Sequence, residues 1–126
     1  MLVKIDTKEK YTVLQPLTPY INDNLADELA AQCLDYLNKN IKNIILNLKD
    51  ISLIDTTASV IILKVQQTFY NTNASFIICE LKPNIKEIME QSLFSEFFNY
   101  TPTESEASDM IQMEEIEREL LRGEWN

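Results

Sequence analysis

Residues 52–59 read Ser-Leu-Ile-Asp-Thr-Thr-Ala-Ser and lie between two strongly apolar runs. The run before them is NIILNL at residues 43–48, and the run after them is VIIL at residues 60–63. A nearly continuous apolar run is typical of a strand that is covered on both faces, as in a central sheet between helices. We therefore expect SLIDTTAS to lie at the carboxyl end of a central strand, where the next helix begins.

The segments on either side of this stretch predict strands that alternate with helices after an opening hairpin. The predicted strands are 2–6, 11–17, 43–48, 75–79 and 97–100. The order β-β-α-β-α-β-α-β-α predicts an α/β fold, with a single-layer mixed β-sheet, an opening hairpin and about four helices. We expect one domain over residues 1–126, with an acidic helical extension from about residue 114.

Caps and a proline mark where the predicted helices begin. Asn22 or Asn24 can cap the first helix with its side-chain oxygen. Pro83 suits the first turn of the third helix. Thr103 and Glu106 fit a capping box that opens the last helix. In the second helix the apolar residues recur at helical spacing, at Ala58, Ile61, Ile62, Val65 and Phe69.

The charge balance of the chain restricts its partners. The chain has 20 acidic against 11 basic residues and a formal net charge of -9. Binding to a phosphate backbone or to an anionic membrane surface needs clustered Lys and Arg, so we expect neither nucleic acid nor direct membrane contact. The first ten residues lack the apolar core of a signal peptide, and no run reaches the roughly 18 apolar residues of a spanning helix.

Two residue types that carry much of enzyme chemistry are scarce. The chain has no His, which excludes Ser-His-Asp and Cys-His catalysis and every His-ligated metal site. Its one Gly, Gly123, cannot form a Gly-rich phosphate loop. We therefore expect no cofactor, no metal and no enzymatic activity. Cys33 and Cys79 each lie in an apolar segment, which predicts buried free thiols and a cytoplasmic, reducing compartment.

The triplet Asp55-Thr56-Thr57 has two interpretations. Asp and Thr side chains accept hydrogen bonds from the free N–H groups of a first helical turn, so the triplet can simply cap a helix. A phosphate on a hydroxyl there would meet the same donors and the positive end of the helix dipole. It would also add about -1.5 to -2 charge. Both interpretations can hold together.

The segment NIILNLKDISLIDTTASVIILKVQQTFYNTNASFIICELKPNIKEIM, residues 43–89, resembles the STAS family of bacterial anti-sigma-factor antagonists. In this family an apolar strand and a short polar link precede Asp-Ser or Asp-Thr at the start of a helix. A further strand and a Pro-initiated helix follow. The same order of elements covers the chain from about residue 2 to about residue 117.

The resemblance implies a regulatory protein-binding module that is switched by phosphorylation. The acceptor would be Thr56, the hydroxyl residue directly after Asp55. The partner would be an anti-sigma factor that is also a serine/threonine kinase, with an ATPase domain of the histidine-kinase type. The unphosphorylated form would bind this partner and free the sigma factor, and phosphorylation would break the contact.

The resemblance also implies a docking surface around the switch. Its residues would be Thr57 and Ser59 beside the acceptor, and Ile21, Asn22 and Asp23 in the loop before the first helix. The chain departs from the family where Ala58 replaces a common Gly, where Pro19-Tyr20-Ile21-Asn22 replaces Gly-x-Leu-Asp, and where Asn71-Thr72-Asn73 replaces glycines. Asn can adopt left-handed geometry, so the last change is compatible with the fold.

Three alternatives stay open. STAS domains also act as non-phosphorylated subunits of larger signalling or transport complexes. Asp55 and Glu80 could form a carboxylate pair for acid-base catalysis. At the carboxyl end, Trp125 either contacts a partner, folds back on the domain or frays. The oligomeric state, monomer or weak dimer, is also open.

Overall fold

The computed structural model describes residues 1–123, so the prediction for Trp125 lies outside the described residues. The strands are β1 (Val3–Thr7), β2 (Thr12–Pro16), β3 (Tyr20–Ile21), β4 (Ile44–Asn47), β5 (Leu53–Ile54), β6 (Phe76–Cys79) and β7 (Tyr100–Thr101). The helices are α1 (Asp23–Asp35), α2 (Thr56–Asn71), α3 (Pro83–Glu90) and α4 (Glu104–Leu121). No helix within residues 1–123 is long and apolar enough to span a membrane.

The main sheet is mixed and has the order β1-β2-β4-β6-β7. β1 and β2 form the predicted antiparallel hairpin, and β2, β4, β6 and β7 pair in parallel. The predicted α/β fold is therefore confirmed. The predicted edge strand 97–100 is wrong in its position, because Ser95–Phe97 form a turn of 3₁₀ helix and the strand is Tyr100–Thr101.

Helices cover both faces of the sheet, which explains why the central strands are continuously apolar. Alternate side chains of each strand point to opposite faces. Ile44 and Leu46 of β4 belong to the larger core cluster, with residues of α1, α2 and α3. Ile45 between them packs in a second cluster with Ala107 and Ile111 of α4. Thus α1–α3 lie on one face and α4 lies on the other.

Both cysteines are buried and free, as predicted. Burial raises the pKa of the Cys33 thiol to about 12. The pKa of Cys79 is also raised to about 12, first by burial and then by the negative charges of Glu104 and Glu80. Both thiols therefore stay protonated at neutral pH, and the reactive thiolate form is suppressed.

Several predicted helix ends are confirmed. Asn22 is the N-cap of α1, and its Oδ1 accepts a hydrogen bond of 2.9 Å from the N–H of Leu25. Thr103 caps α4, and its hydroxyl oxygen accepts from the N–H of Glu106 at 3.2 Å. Beyond the end of α2, Asn73 has a φ of 59°, the left-handed geometry expected of an Asn in place of Gly.

Candidate functional site

A second, two-stranded parallel sheet builds the candidate site. β3 pairs with β5, with Tyr20 opposite Leu53 and Ile21 opposite Ile54. The N–H of Asp55 donates to the carbonyl of Ile21 at 3.1 Å, which continues the pairing to the start of α2. The loop before α1 is thereby fixed beside the first turn of α2, the two segments that the family resemblance assigned to one surface.

Asp55 occupies the N-cap position of α2, but its side chain does not cap the helix. Its backbone is extended, and its carbonyl accepts from the N–H of Ser59 at 3.0 Å, as an N-cap carbonyl does. The carboxylate instead accepts a hydrogen bond of 2.7 Å from the hydroxyl of Tyr20. The prediction of a side-chain cap is therefore wrong for Asp55, because β3 places a phenol within reach of the carboxylate.

The three hydroxyl residues of the first turn have different environments. Thr57 is exposed, and its hydroxyl donates to Oδ1 of Asp23 at the start of α1. Ser59 is fully buried, and its hydroxyl donates to the carbonyl of Thr56 at 2.6 Å. Thr56 is exposed, and its hydroxyl makes no hydrogen bond to any atom of residues 1–123. Of the three, Thr56 has a hydroxyl that is both exposed and free of hydrogen bonds within residues 1–123.

Two residues assigned to the docking surface are not exposed. Ile21 is fully buried in the main core, and Ser59 is fully buried beneath the first turn of α2. Neither side chain can contact a partner directly, which corrects that expectation. Asn22 is half-buried because it caps α1, while Asp23 is exposed. The predicted residues that reach the surface are thus Asp23, Thr56 and Thr57 in full, and Asn22 and Asp55 in part.

An apolar rim borders these polar groups, and the sequence patterns did not predict it. Its residues are Tyr20 and Leu53, which have exposed fractions of 38% and 53%. Tyr20 and Leu53 are register partners in the β3–β5 ladder, so their side chains lie on the same face of the small sheet. Apolar side chains grouped on a surface beside polar ones are typical of a protein-binding site. The sequence signal that could have indicated Leu53 is the apolar pair Leu53-Ile54, which can be read as a short strand.

Negative charge dominates the electrostatics of the site. The carboxylates of Asp55 and Asp23 lie at the first turns of α2 and α1, where the helix dipoles favour anions. The hydrogen bond to Asp55 raises the pKa of Tyr20 above its ordinary value, with smaller contributions from burial and from the charges of Asp55 and Asp23. Tyr20 therefore stays a neutral donor throughout the neutral range.

The loop between β4 and β5 is fixed by α3. The Lys82 ammonium donates to the carbonyl of Ile51 at 3.0 Å, and the side-chain amide of Asn84 donates to the carbonyl of Ser52 at 2.9 Å. Because these contacts hold the backbone that leads into β5, the exposed Leu53 has a defined position. The candidate surface is thus supported by α3 as well as by β3.

Asp55 and Glu80, the carboxylate pair considered for acid-base catalysis, are held by different hydrogen-bond partners. Asp55 accepts from Tyr20, whereas Glu80 accepts from the backbone N–H of Glu104 at 3.2 Å, at the start of α4. Each carboxylate thus makes a separate structural contact. A cleft of about 930 Å³ lies near the other end of α2 and is lined in part by Gln66 and Tyr70. It is roughly 20 Å along the helix from Thr56. Neither feature adds catalytic groups to the candidate site.

Solved structures share this fold at low sequence identity. A Thermotoga maritima protein described as an anti-sigma factor antagonist is 18% identical with a TM-score of 0.77, covering 87% of this chain and 94% of that chain. SpoIIAA, a Bacillus cell fate determinant solved in its phosphorylated form, is 15% identical with a TM-score of 0.65, covering 87% and 99%. The murine anion transporter Slc26a9 is 12% identical with a TM-score of 0.65, covering 82% of this chain and 18% of that chain.

The chain is also similar to a known family in its sequence. A sequence model of the STAS domain matches residues 4–107, from β1 to the first turn of α4. This range is most of the chain and contains β3, β5 and the whole candidate surface. The chain therefore belongs to the STAS domain family.

Proposed function

We propose that this protein is a cytoplasmic anti-sigma-factor antagonist whose surface around Thr56 binds an anti-sigma factor with serine/threonine kinase activity. It acts by gaining and losing this partner, not by turnover. The observation that carries the proposal is the state of Thr56, which is exposed and has a hydroxyl free of hydrogen bonds within residues 1–123. Its neighbours Thr57 and Ser59 both donate their hydroxyl protons to other groups.

The phosphoryl transfer needs little from this chain beyond position. The Oγ1 of Thr56 attacks the γ-phosphorus of ATP held by the kinase, and the bond from that phosphorus to the β-phosphate oxygen breaks. The hydroxyl proton leaves to a base, and ADP is released. Positioning is the main requirement of such a transfer. The β3–β5 ladder and the contacts of α3 meet it by fixing the backbone on the amino-terminal side of Thr56.

The phosphorylated surface differs from the free one in charge more than in shape. The phosphate adds about -1.5 to -2 charge, close to the carboxylates of Asp55 and Asp23. The amino terminus of α2 partly offsets the repulsion, because its free N–H groups and dipole favour an anion. The domain can therefore stay folded, while a partner that fits the apolar rim and the uncharged hydroxyl meets a dianion instead.

Substitution of Thr56 and, separately, of Thr57 tests this assignment. The kinase is obtained by affinity purification from the native cell with this chain as bait, and phosphate incorporation is measured by intact mass. We expect Thr56→Ala to keep partner binding and to accept no phosphate. Thr57→Ala is the matched control and accepts one phosphate. If the Thr56→Ala variant still gains a phosphate, Thr56 is not the acceptor.

A second function is favoured by the likeness to a transporter. The part of Slc26a9 that this fold matches is 18% of that chain, so the fold also occurs as one portion of a membrane transport protein. In this alternative the protein is a non-phosphorylated subunit of a larger complex. Purification from the native cell discriminates the two, because a histidine-kinase-type ATPase supports the switch and a transporter supports the subunit.

A further inference from the structure

The carboxyl-terminal half of α4 carries apolar side chains that face away from the domain. Met113, Ile116 and Leu120 have exposed fractions of 62%, 51% and 52%. Their spacing of three and then four residues places them in one stripe along the helix. We call these three residues the outer stripe of α4. All three residues lie within α4, which continues to Leu121.

The opposite face of α4 is already used to hold the helix on the sheet. At about 100° per residue, Met113, Ile116 and Leu120 lie at about 200°, 140° and 180° from the buried Ile111. One turn beyond Ile111, the Glu114 carboxylate accepts a hydrogen bond of 2.6 Å from the hydroxyl of Ser75. The outer stripe therefore cannot pack on its own sheet without the loss of the inner contacts.

The surroundings of the outer stripe are acidic. Glu106, Asp109 and Glu117 are exposed along the same side of α4. The one basic residue between positions 104 and 121 is Arg118, which lies on the inner face and donates to the hydroxyl of Ser75 at 3.1 Å. The exposed side of the helix thus combines an apolar stripe with a rim of one charge sign.

Charge complementarity selects the occupant of such a surface. A second copy of this chain would bring the same acids against Asp109 and Glu117, with a formal charge of -9 on each copy. A helix with apolar residues at its a and d positions and Lys or Arg beside them matches both features. We propose that the outer stripe of α4 docks a basic amphipathic helix of another protein.

This surface is separate from the phosphorylation switch. α4 packs against the sheet face opposite to α1–α3, whereas Thr56 lies at the start of α2. The matched STAS range ends at residue 107, before the outer stripe begins. A helix bound to α4 therefore stays bound when Thr56 is phosphorylated, and the chain can hold two partners at once.

A designed probe tests the proposal directly. The probe is a labelled synthetic helix of about four heptads, with Leu at a and d and Lys at e and g. The Lys residues repel one another and keep the probe from pairing with itself. Its control carries Glu in place of Lys. Binding to the full chain is measured by fluorescence anisotropy, and circular dichroism verifies that each variant is folded.

The expected result is specific to the stripe. The wild type binds the Lys probe, and a triple variant with Met113→Ser, Ile116→Ser and Leu120→Ser binds it about tenfold or more weakly. The Glu probe is also bound weakly. Leu93→Ser, a matched control at a residue that is 95% exposed elsewhere, binds like the wild type. Thr56→Glu, which mimics the switched state, also binds like the wild type.

Four outcomes overturn the proposal. Equal binding of the Lys probe by the wild type and the triple variant shows attraction by charge alone. Absence of binding by the wild type excludes this class of partner. If the wild type sediments as a dimer and the triple variant sediments as a monomer, the occupant is a second copy of the chain. A shift in the emission of Trp125 caused by the triple substitution, without probe, identifies the carboxyl terminus of the same chain as the occupant.

Discussion

The hydroxyl of Tyr20 donates a hydrogen bond of 2.7 Å to Oδ1 of Asp55, which directly precedes the proposed acceptor Thr56. The bond joins the loop before α1 to the start of α2, alongside the β3–β5 ladder. It also removes the Asp55 side chain from the capping role that its position suggests. The orientation of this carboxylate is therefore set by tertiary structure and not by the helix that it precedes.

Alkaline titration of Tyr20 tests this bond. Its pKa is raised, first by the hydrogen bond to Asp55, so Tyr20 ionises above its ordinary value of 10.0. The neutral phenol is the form that the folded state favours. Its contribution to stability is complete below the unfolded pKa and is lost as pH rises through the folded pKa. Asp55→Asn should lower the pKa of Tyr20 towards its ordinary value.

The measurement is the ultraviolet difference titration of the tyrosines, with Tyr20→Phe used to identify the signal of Tyr20 among the five tyrosines. An unchanged Tyr20 signal in the Asp55→Asn variant contradicts the hydrogen bond. The same Tyr20→Phe variant should fold normally but accept phosphate more slowly, because Asp55 loses the contact that orients it.

The cap of α1 makes a measurable contribution to stability. Asn22 accepts from the N–H of Leu25, and its loss leaves a first-turn donor without a side-chain partner. We expect Asn22→Ala to lower the free energy of unfolding by about 1 kcal/mol, measured by urea denaturation. Asn22→Asp restores the missing acid of the family pattern and retains a capping oxygen. It should therefore be close to the wild type, and an equal loss in both variants argues against capping.

Two isoleucines of α4 report which face of the helix is packed. Ile111 is fully buried, whereas Ile116 is 51% exposed. We expect Ile111→Ala to destabilise the fold by about 2–5 kcal/mol, because it leaves a cavity against the sheet. Ile116→Ala should change stability by no more than about 0.5 kcal/mol. Thermal unfolding followed by circular dichroism compares them, and similar losses would contradict the assigned orientation of α4.

Cys33 and Cys79 should not react with thiol-specific reagents in the folded protein. The pKa of both thiols is raised to about 12, by burial at Cys33 and by burial with the charges of Glu104 and Glu80 at Cys79. At neutral pH each thiol is therefore protonated as well as inaccessible, and a thiol-specific reagent should label neither Cys33 nor Cys79. Addition of denaturant exposes both, and two equivalents of reagent should then react. Rapid labelling of the native protein would show that at least one thiol is open to solvent.

The sequence predicted the elements whose residues carry a long or periodic signal. The runs at β4 and β6 are apolar on both faces because α1–α3 and α4 cover the two sides of the sheet. Asn22 and Thr103 were recognisable as caps because a cap depends on the residue type and its immediate neighbours. Such local signals are present in a single sequence.

The parts that were missed depend on contacts between distant segments. β3 and β5 have two residues each, which is too few for a periodic pattern. Each is a strand because it pairs with the other. The burial of Ser59 follows from the way α2 packs, and no feature of the triplet before it indicates this. The edge strand begins later than predicted because Ser95–Phe97 form a turn of 3₁₀ helix before β7.

If phosphorylation at Thr56 removes the partner from this surface, the phosphorylated and unphosphorylated forms must differ in their affinity for that partner. The partner purified from the native cell is titrated by calorimetry into the unphosphorylated chain and into the chain that carries one phosphate on Thr56. We expect the phosphorylated form to bind about tenfold or more weakly while its circular dichroism is unchanged. Equal affinity of the two forms would contradict it.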